Sequence, residues 1–228
     1  MMRTIRWAVV AVLLAAGTAR AADAKYSVKT VKTPLPKELK EAIAKQLSDQ
    51  AVQLLDDKGK VLAEVWLRNE VPAKATPAQV KKGLTYRQIE ETTLLGAIRF
   101  AQPGSDYRKQ KIKAGSYTLR LGFQPMDGDH MGTAPYPEFC LLVPASMDDQ
   151  AGPLKNAKEL QELSTKATDT SHPGILLLFP NSKPAATPRV VNKGNGHWMV
   201  DLKETAAAGG EKGSLGVGLV LIGHTSAE

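Results

Sequence analysis

The chain has 228 residues, 43% of them hydrophobic and 5% aromatic, a length at which folding buries about 70% of the unfolded surface in one substantial core. The formal charge of +7 overstates its basic character, because losing Arg3, Arg6 and Arg20 with the leader described below leaves 27 basic residues against 23 acidic ones, a balance of +4. The densest basic stretches, 37–45 and 108–113, lack the interleaved aromatics of a nucleic-acid platform. A single cysteine, Cys140, excludes an intramolecular disulfide and any C-x-x-C site.

Residues 1–6 are basic and Trp7–Ala16 is an unbroken apolar run, shorter than the bilayer span of about 20 residues. Small residues then offer A-x-A sites at 19–21 and 22–24, so residues 1–21 read as a secretory signal cleaved after Ala21 or Ala24. No cysteine at that site offers a lipid anchor, and no later segment is long and apolar enough to predict a transmembrane helix. The expected mature protein is exported, periplasmic or extracellular, and forms one domain over 25–228.

Tyr26–Val31 has strand character and is closed by Pro34 and Pro36. Pro36 suits an early helical position for Lys37–Ser48, where Leu39, Ile43 and Leu47 recur four residues apart and predict a short amphipathic helix. Ala51–Leu55 and Lys60–Arg68 flank Asp56-Asp57-Lys58-Gly59, a hairpin turn. Trp66 falls on the outer face of the second strand and is expected beneath a covering loop. Residues 69–93 read as a long connection with a helical turn, and Leu94–Phe100 as the next strand.

The clearest alternation follows the turn at Lys113-Ala114-Gly115. Tyr117, Leu119, Leu121 and Phe123 take one face and Ser116, Thr118, Arg120 and Gln124 the other, which predicts a half-buried strand with Arg120 on its polar side. Pro125 ends it. A polar loop over 126–132 then leads to a second strand, Glu138–Val143, so the pair reads as a hairpin with a long tip. Ala157–Lys166 predicts a short helix carrying Leu160 and Leu163. The wholly apolar Ile175–Phe179 predicts a strand buried on both faces. Arg189–Lys193 and His197–Leu202 flank Gly194-Asn195-Gly196 as a hairpin, and a last strand, Leu215–Ile222, alternates apolar residues with glycines.

About nine short strands, turn signals between them and two minor helices argue for a mainly β protein, an antiparallel β-sandwich of Ig-like or jelly-roll-like type with peripheral helices. The segment Ile112-Lys113-Ala114-Gly115-Ser116-Tyr117-Thr118-Leu119 resembles the pAGtYtL-type strand of exported bacterial β-sandwich proteins of unknown function. It is similar also to the corresponding strand of transthyretin-like and carboxypeptidase-regulatory-like modules. The resemblance spans about fifty residues, implies the sandwich fold and carries over no catalytic residue.

The chemistry-bearing motifs are few. H-E-x-x-H, G-x-S-x-G and a Walker A loop are absent from the sequence. Ser171-His172 are neighbours in the chain, which says nothing of a triad, since a triad assembles from separate elements. Asp127, Asp129, Asp148 and Asp149 read as turn-capping residues rather than an acid/base pair. Cys140, in an apolar strand, reads as a small core residue.

The expectation is therefore an exported, non-enzymatic module that binds an envelope protein or a small ligand. The alternative is a periplasmic copper-binding protein, because the alternation of His197 to Leu202 predicts that His197 and Met199 face outward together, and imidazole and thioether both suit Cu(I). The stretch Gly196–Leu202 resembles the closing hairpin of periplasmic cupredoxin-like copper chaperones. This chain lacks their upstream Met/His ligands, which leaves His130 and Met131 of the polar loop to complete a set of His130, Met131, His197 and Met199. A hydrolase without a recognisable motif is the third expectation.

Overall fold

The computed structural model describes residues 25–125, 128 and 132–225; the expected leader and Asp127, Asp129, His130 and Met131 lie outside the described residues. Within them the chain forms, in order, β1 (Tyr26–Lys32), α1 (Glu41–Ala44), β2 (Leu47–Asp56), β3 (Val61–Arg68), β4 (Val71–Pro72), α2 (Pro77–Lys82), β5 (Leu94–Phe100), β6 (Gly104–Ser105), β7 (Lys111–Ile112), β8 (Gly115–Phe123), β9 (Glu138–Pro144), α3 (Ala157–Ser164), β10 (Ile175–Pro180), β11 (Arg189–Asn192), β12 (Trp198–Ala208) and β13 (Glu211–Ile222). No helix among the described residues is long and apolar enough to cross a membrane.

One sheet carries almost all of the strands, in the order β1-β2-β3-β5-β8-β9-β10-β13-β12-β11. It curls because β10 turns a corner: Ile175–Leu177 pair with β9, while Leu178–Pro180 pair with β13. After Asn69 and Glu70, β4 joins the opposite side by pairing in parallel with β12, Val71 beside Ala206. Near the sheet's two edges the Tyr26 and Trp198 rings meet edge to face at 5.1 Å. The mainly β fold with short peripheral helices is the one the sequence predicts, and its two facing layers are halves of one curled sheet.

The main core lies between those halves, where Val65, Ile98, Leu119 and Leu142 of one layer face Val200, Leu202, Val217 and Leu219 of the other. Alternation along β9 sends Cys140 and Leu142 inward and Phe139, Leu141 and Val143 outward. Strand β10, apolar throughout, likewise serves both sides, as its sequence predicts. Outside the sheet, α3 covers one cluster built on Phe139, Leu141, Leu177 and Met199. A second outer cluster packs Leu39, Ile43 and Leu47 around Trp66, which is wholly buried beneath the preceding segment as expected.

Two expectations need correction. Of the predicted helix over 37–48 only Glu41–Ala44 is helical, and Leu47 already opens β2. The stripe of Leu39, Ile43 and Leu47 is genuine as a buried face, but a helix this short is marginal and sheet pairing takes its end. Arg120, expected on a solvated face, is fully buried. Its Nε and Nη2 donate to Asp148 Oδ2 at 2.7 Å and Oδ1 at 2.8 Å, and its Nη1 donates to the carbonyls of Thr92 at 2.7 Å and Gly152 at 2.9 Å. Nη2 also reaches the Gln150 carbonyl. A period-2 pattern cannot register this, because the covering loop at 148–152 comes from later in the chain.

Candidate functional site

That Arg120 clamp sets the position of the next element. By fixing residues 148–152 against β8 it delivers Leu154 and then α3 over the outer face of β9; Thr92 Oγ1 donates to the Leu154 carbonyl at 3.1 Å. Asn156 caps α3, accepting the Glu159 N–H at 3.0 Å. At the far end Ser164 Oγ donates to the Gly174 carbonyl at 3.1 Å, which ties the helix to the start of β10.

Between α3 and the sheet lies a cleft of about 700 Å³, within the size range of small-molecule sites. Its lining is apolar: Phe139, Leu141 and Ile175 on the sheet side and Leu160 on α3, flanked by Phe123 and Ala134. Gly122 makes the floor flat, since a Cβ there would stand 2.5 Å from Leu141 Cδ1. Its rim is polar, with Glu91, Arg108, Lys158, Glu162 and His172. The charges are partly engaged: Lys158 pairs with Glu162 at 3.9 Å, and Glu91 accepts the Phe123 N–H at 3.1 Å. Ser171 and His172 both line the cleft and both are exposed.

One end of the cleft is closed by Tyr107, Thr133 and Thr225. Thr225 N–H donates to the Tyr107 carbonyl at 2.8 Å, and Thr225 Oγ1 to the Thr133 carbonyl at 2.9 Å. Tyr107 is held by its neighbour Asp106, a buried turn residue that accepts from the backbone of Arg108, Gln110 and Ile175. Burial raises the Asp106 carboxyl above its usual range, against the pull of those donors.

Behind that end stand two of the sequence's histidines. His197 is half-buried, with its ring stacked on Tyr107 at 5.7 Å. His224, exposed, follows the last strand. Met199, expected to be exposed beside His197, is 5% exposed and packs with Leu177, Phe179 and Val220. Alternation holds, with Val200 and Leu202 in the main core and Met199 on the opposite face, but that face is covered by the outer cluster, which a pattern read along the strand does not show. His130 and Met131 lie outside the described residues. His224 is the residue that sequence reasoning passed over, although the pairs Gly196-His197 and Gly223-His224 flank the same two paired strands.

Among the described residues no three His, Cys, Asp or Glu side chains gather as a metal-ligand set. A scan of known protein families, a search of curated proteins and a search of solved structures each find no match to this chain.

Proposed function

We propose that the protein is an exported, non-enzymatic binding module of the cell envelope and that the cleft beneath α3 takes a small amphipathic ligand. The observation that carries this reading is the pairing of an apolar floor with a mixed polar rim around about 700 Å³, the usual composition of a small-molecule site. Two buried acids are engaged in structural pairing away from the cleft. Asp148 is bound to Arg120. Asp201 accepts from Arg189 Nε at 2.9 Å and Asn181 Nδ2 at 2.6 Å. Burial holds the Cys140 thiol well above its usual pKa, so it stays protonated. Export rests on the leader pattern of residues 1–24.

The test uses the protein expressed with its leader. Export gives a mature N-terminus at Ala22 or Lys25. An apolar anionic dye such as anilinonaphthalene sulfonate is expected to bind one to one. Ala157→Phe, which adds a ring at the half-buried cleft wall, is expected to weaken binding at least tenfold while the urea midpoint holds. A dye that binds wild type and Ala157→Phe equally, or does not bind at all, would rule the cleft out.

A further inference from the structure

The rim of the cleft differs from one side to the other. Beside the end of β8 stands Glu91, whose Oε1 accepts the Phe123 N–H at 3.1 Å. Strand β9 lies next, and β10 beyond it. On the β10 side stand Arg108 and His172. Backbone contacts fix them there. Tyr107 N–H donates to the Ile175 carbonyl at 2.9 Å, Ile175 N–H to Asp106 Oδ2 at 3.1 Å, and Gln110 Nε2 to the Pro173 carbonyl at 2.9 Å. The turn that carries Arg108 is thereby laced to the segment that carries His172. Gly174 N–H donates to the Ser164 carbonyl at 3.2 Å, which sets that segment against the C-terminal end of α3.

The acids near this side are already engaged. Asp106 is buried, and its two oxygens accept from the backbone of Arg108, Gln110 and Ile175 and from the Gln110 side chain at 2.7 Å. Asp169 pairs with Lys113 at 2.8 Å, and Glu162 faces Lys158. A floor three strands wide, about 10 Å, separates Glu91 from the β10 side. Arg108 and His172 are both exposed, and among the described residues neither side chain has an ion pair or a hydrogen bond.

An apolar lining with uncompensated donors along one side is complementary to a molecule with an apolar body and one anionic head. A guanidinium offers a planar fork of N–H groups that a carboxylate meets with both oxygens, which a compact ammonium cannot match. At an exposed rim both ions also keep part of their hydration, so the penalty for burying a charge is largely avoided. We propose, on the footing of the cleft reading above, that the ligand is an amphiphilic carboxylate. Its chain lies on Phe139 and Leu141, and its head is held by Arg108 beside His172.

The probes are decanoate, decanol and decylamine, which share one chain and differ in the head. Each is titrated into the purified mature protein by calorimetry near neutral pH, below its micelle concentration. The expected result is that decanoate binds one to one and at least tenfold tighter than the other two, about 1.4 kcal/mol. Arg108→Gln brings decanoate down to the affinity of decanol and leaves decanol unchanged. Lys111→Gln, which removes a charge from the exposed strand β7 outside the cleft, leaves all three as in wild type. Urea midpoints confirm that both variants fold. If decanoate and decanol bind alike and Ala157→Phe weakens both, the cleft stands and the carboxylate assignment is overturned. Tighter binding of decylamine, or equal loss from Lys111→Gln, overturns it as well. If none of the three binds, the cleft reading and the assignment fall together.

Discussion

Arg120 and Asp148 show what a single pair of residues controls. All five guanidinium hydrogens have acceptors, and the carboxylate receives both the guanidinium and the Thr118 hydroxyl. Removing one member leaves the other charged, buried and unpaired, which is the costly case, whereas the intact pair contributes little net stability over an apolar replacement. Asp148→Ala is therefore expected to destabilise the fold by about 3–5 kcal/mol in urea titration. An Arg120→Met/Asp148→Leu double variant should recover most of that loss. A double variant as unstable as Asp148→Ala would mean that the network matters for its hydrogen bonds to the loop rather than for charge pairing. The cleft would follow either way, because the 148–152 loop delivers α3.

At the scale of elements, the glycines of β13 mark where other segments press on the sheet. A Cβ at Gly213 would stand 2.6 Å from the Val80 carbonyl of α2, and one at Gly218 would stand 2.7 Å from the Phe179 carbonyl. At Gly216 it would overlap the Asn181 carbonyl outright. Backbone carbonyls cannot swing aside as a side-chain end can. Gly216→Ala should therefore cost about 1–3 kcal/mol through overpacking, read as a lowered denaturation midpoint. Gly104→Ala, in open space on β6, should stay within about 0.5 kcal/mol of wild type. Equal effects at the two positions would refute the close-approach explanation. The sequence shows the alternation of apolar residues with glycine in this strand; the reason for it is contributed by segments thirty or more residues away.

For the molecule as a whole, the decisive junction is where β3 passes into β4 and crosses to β12. Glu204 sits inside the core there, 2% exposed, with Oε1 accepting the Arg68 N–H at 3.2 Å. Its other oxygen has no hydrogen-bond partner among the described residues. Burial raises its pKa well above the ordinary 4.5, and the Arg68 N–H and charge offset this only in part. The folded state thus holds a proton that the unfolded chain releases near pH 4.5. This contribution to stability is fully present below that pH and is lost as pH rises through the folded-state pKa. Glu204→Gln should consequently match wild type near pH 4 and gain on it at higher pH, by up to about 1.4 kcal/mol per pH unit until the folded-state value is passed. Urea midpoints of both proteins across pH 4–8 check the sign. A gap that is constant with pH would mean that Glu204 does not titrate differently in the two states.

The sequence by itself determined the elements that depend on neighbours in the chain. The edges of β5, β8, β9 and β10, the Asp56–Gly59 turn, the capped helix α3 and the doubly buried character of β10 were all legible, because alternation, proline breaks and turn residues act over a few residues. Tertiary structure decided everything that depends on what arrives from a distance. It turned the end of the predicted first helix into β2, buried Arg120, and covered the outer face on which Met199 stands. It also brought His224 to His197 and roofed the outer face of β9 with α3 to make the cleft. Burial, charge compensation and side-chain convergence are properties of pairs of segments far apart in sequence, and a pattern read along one strand carries no information about the segment that will cover it.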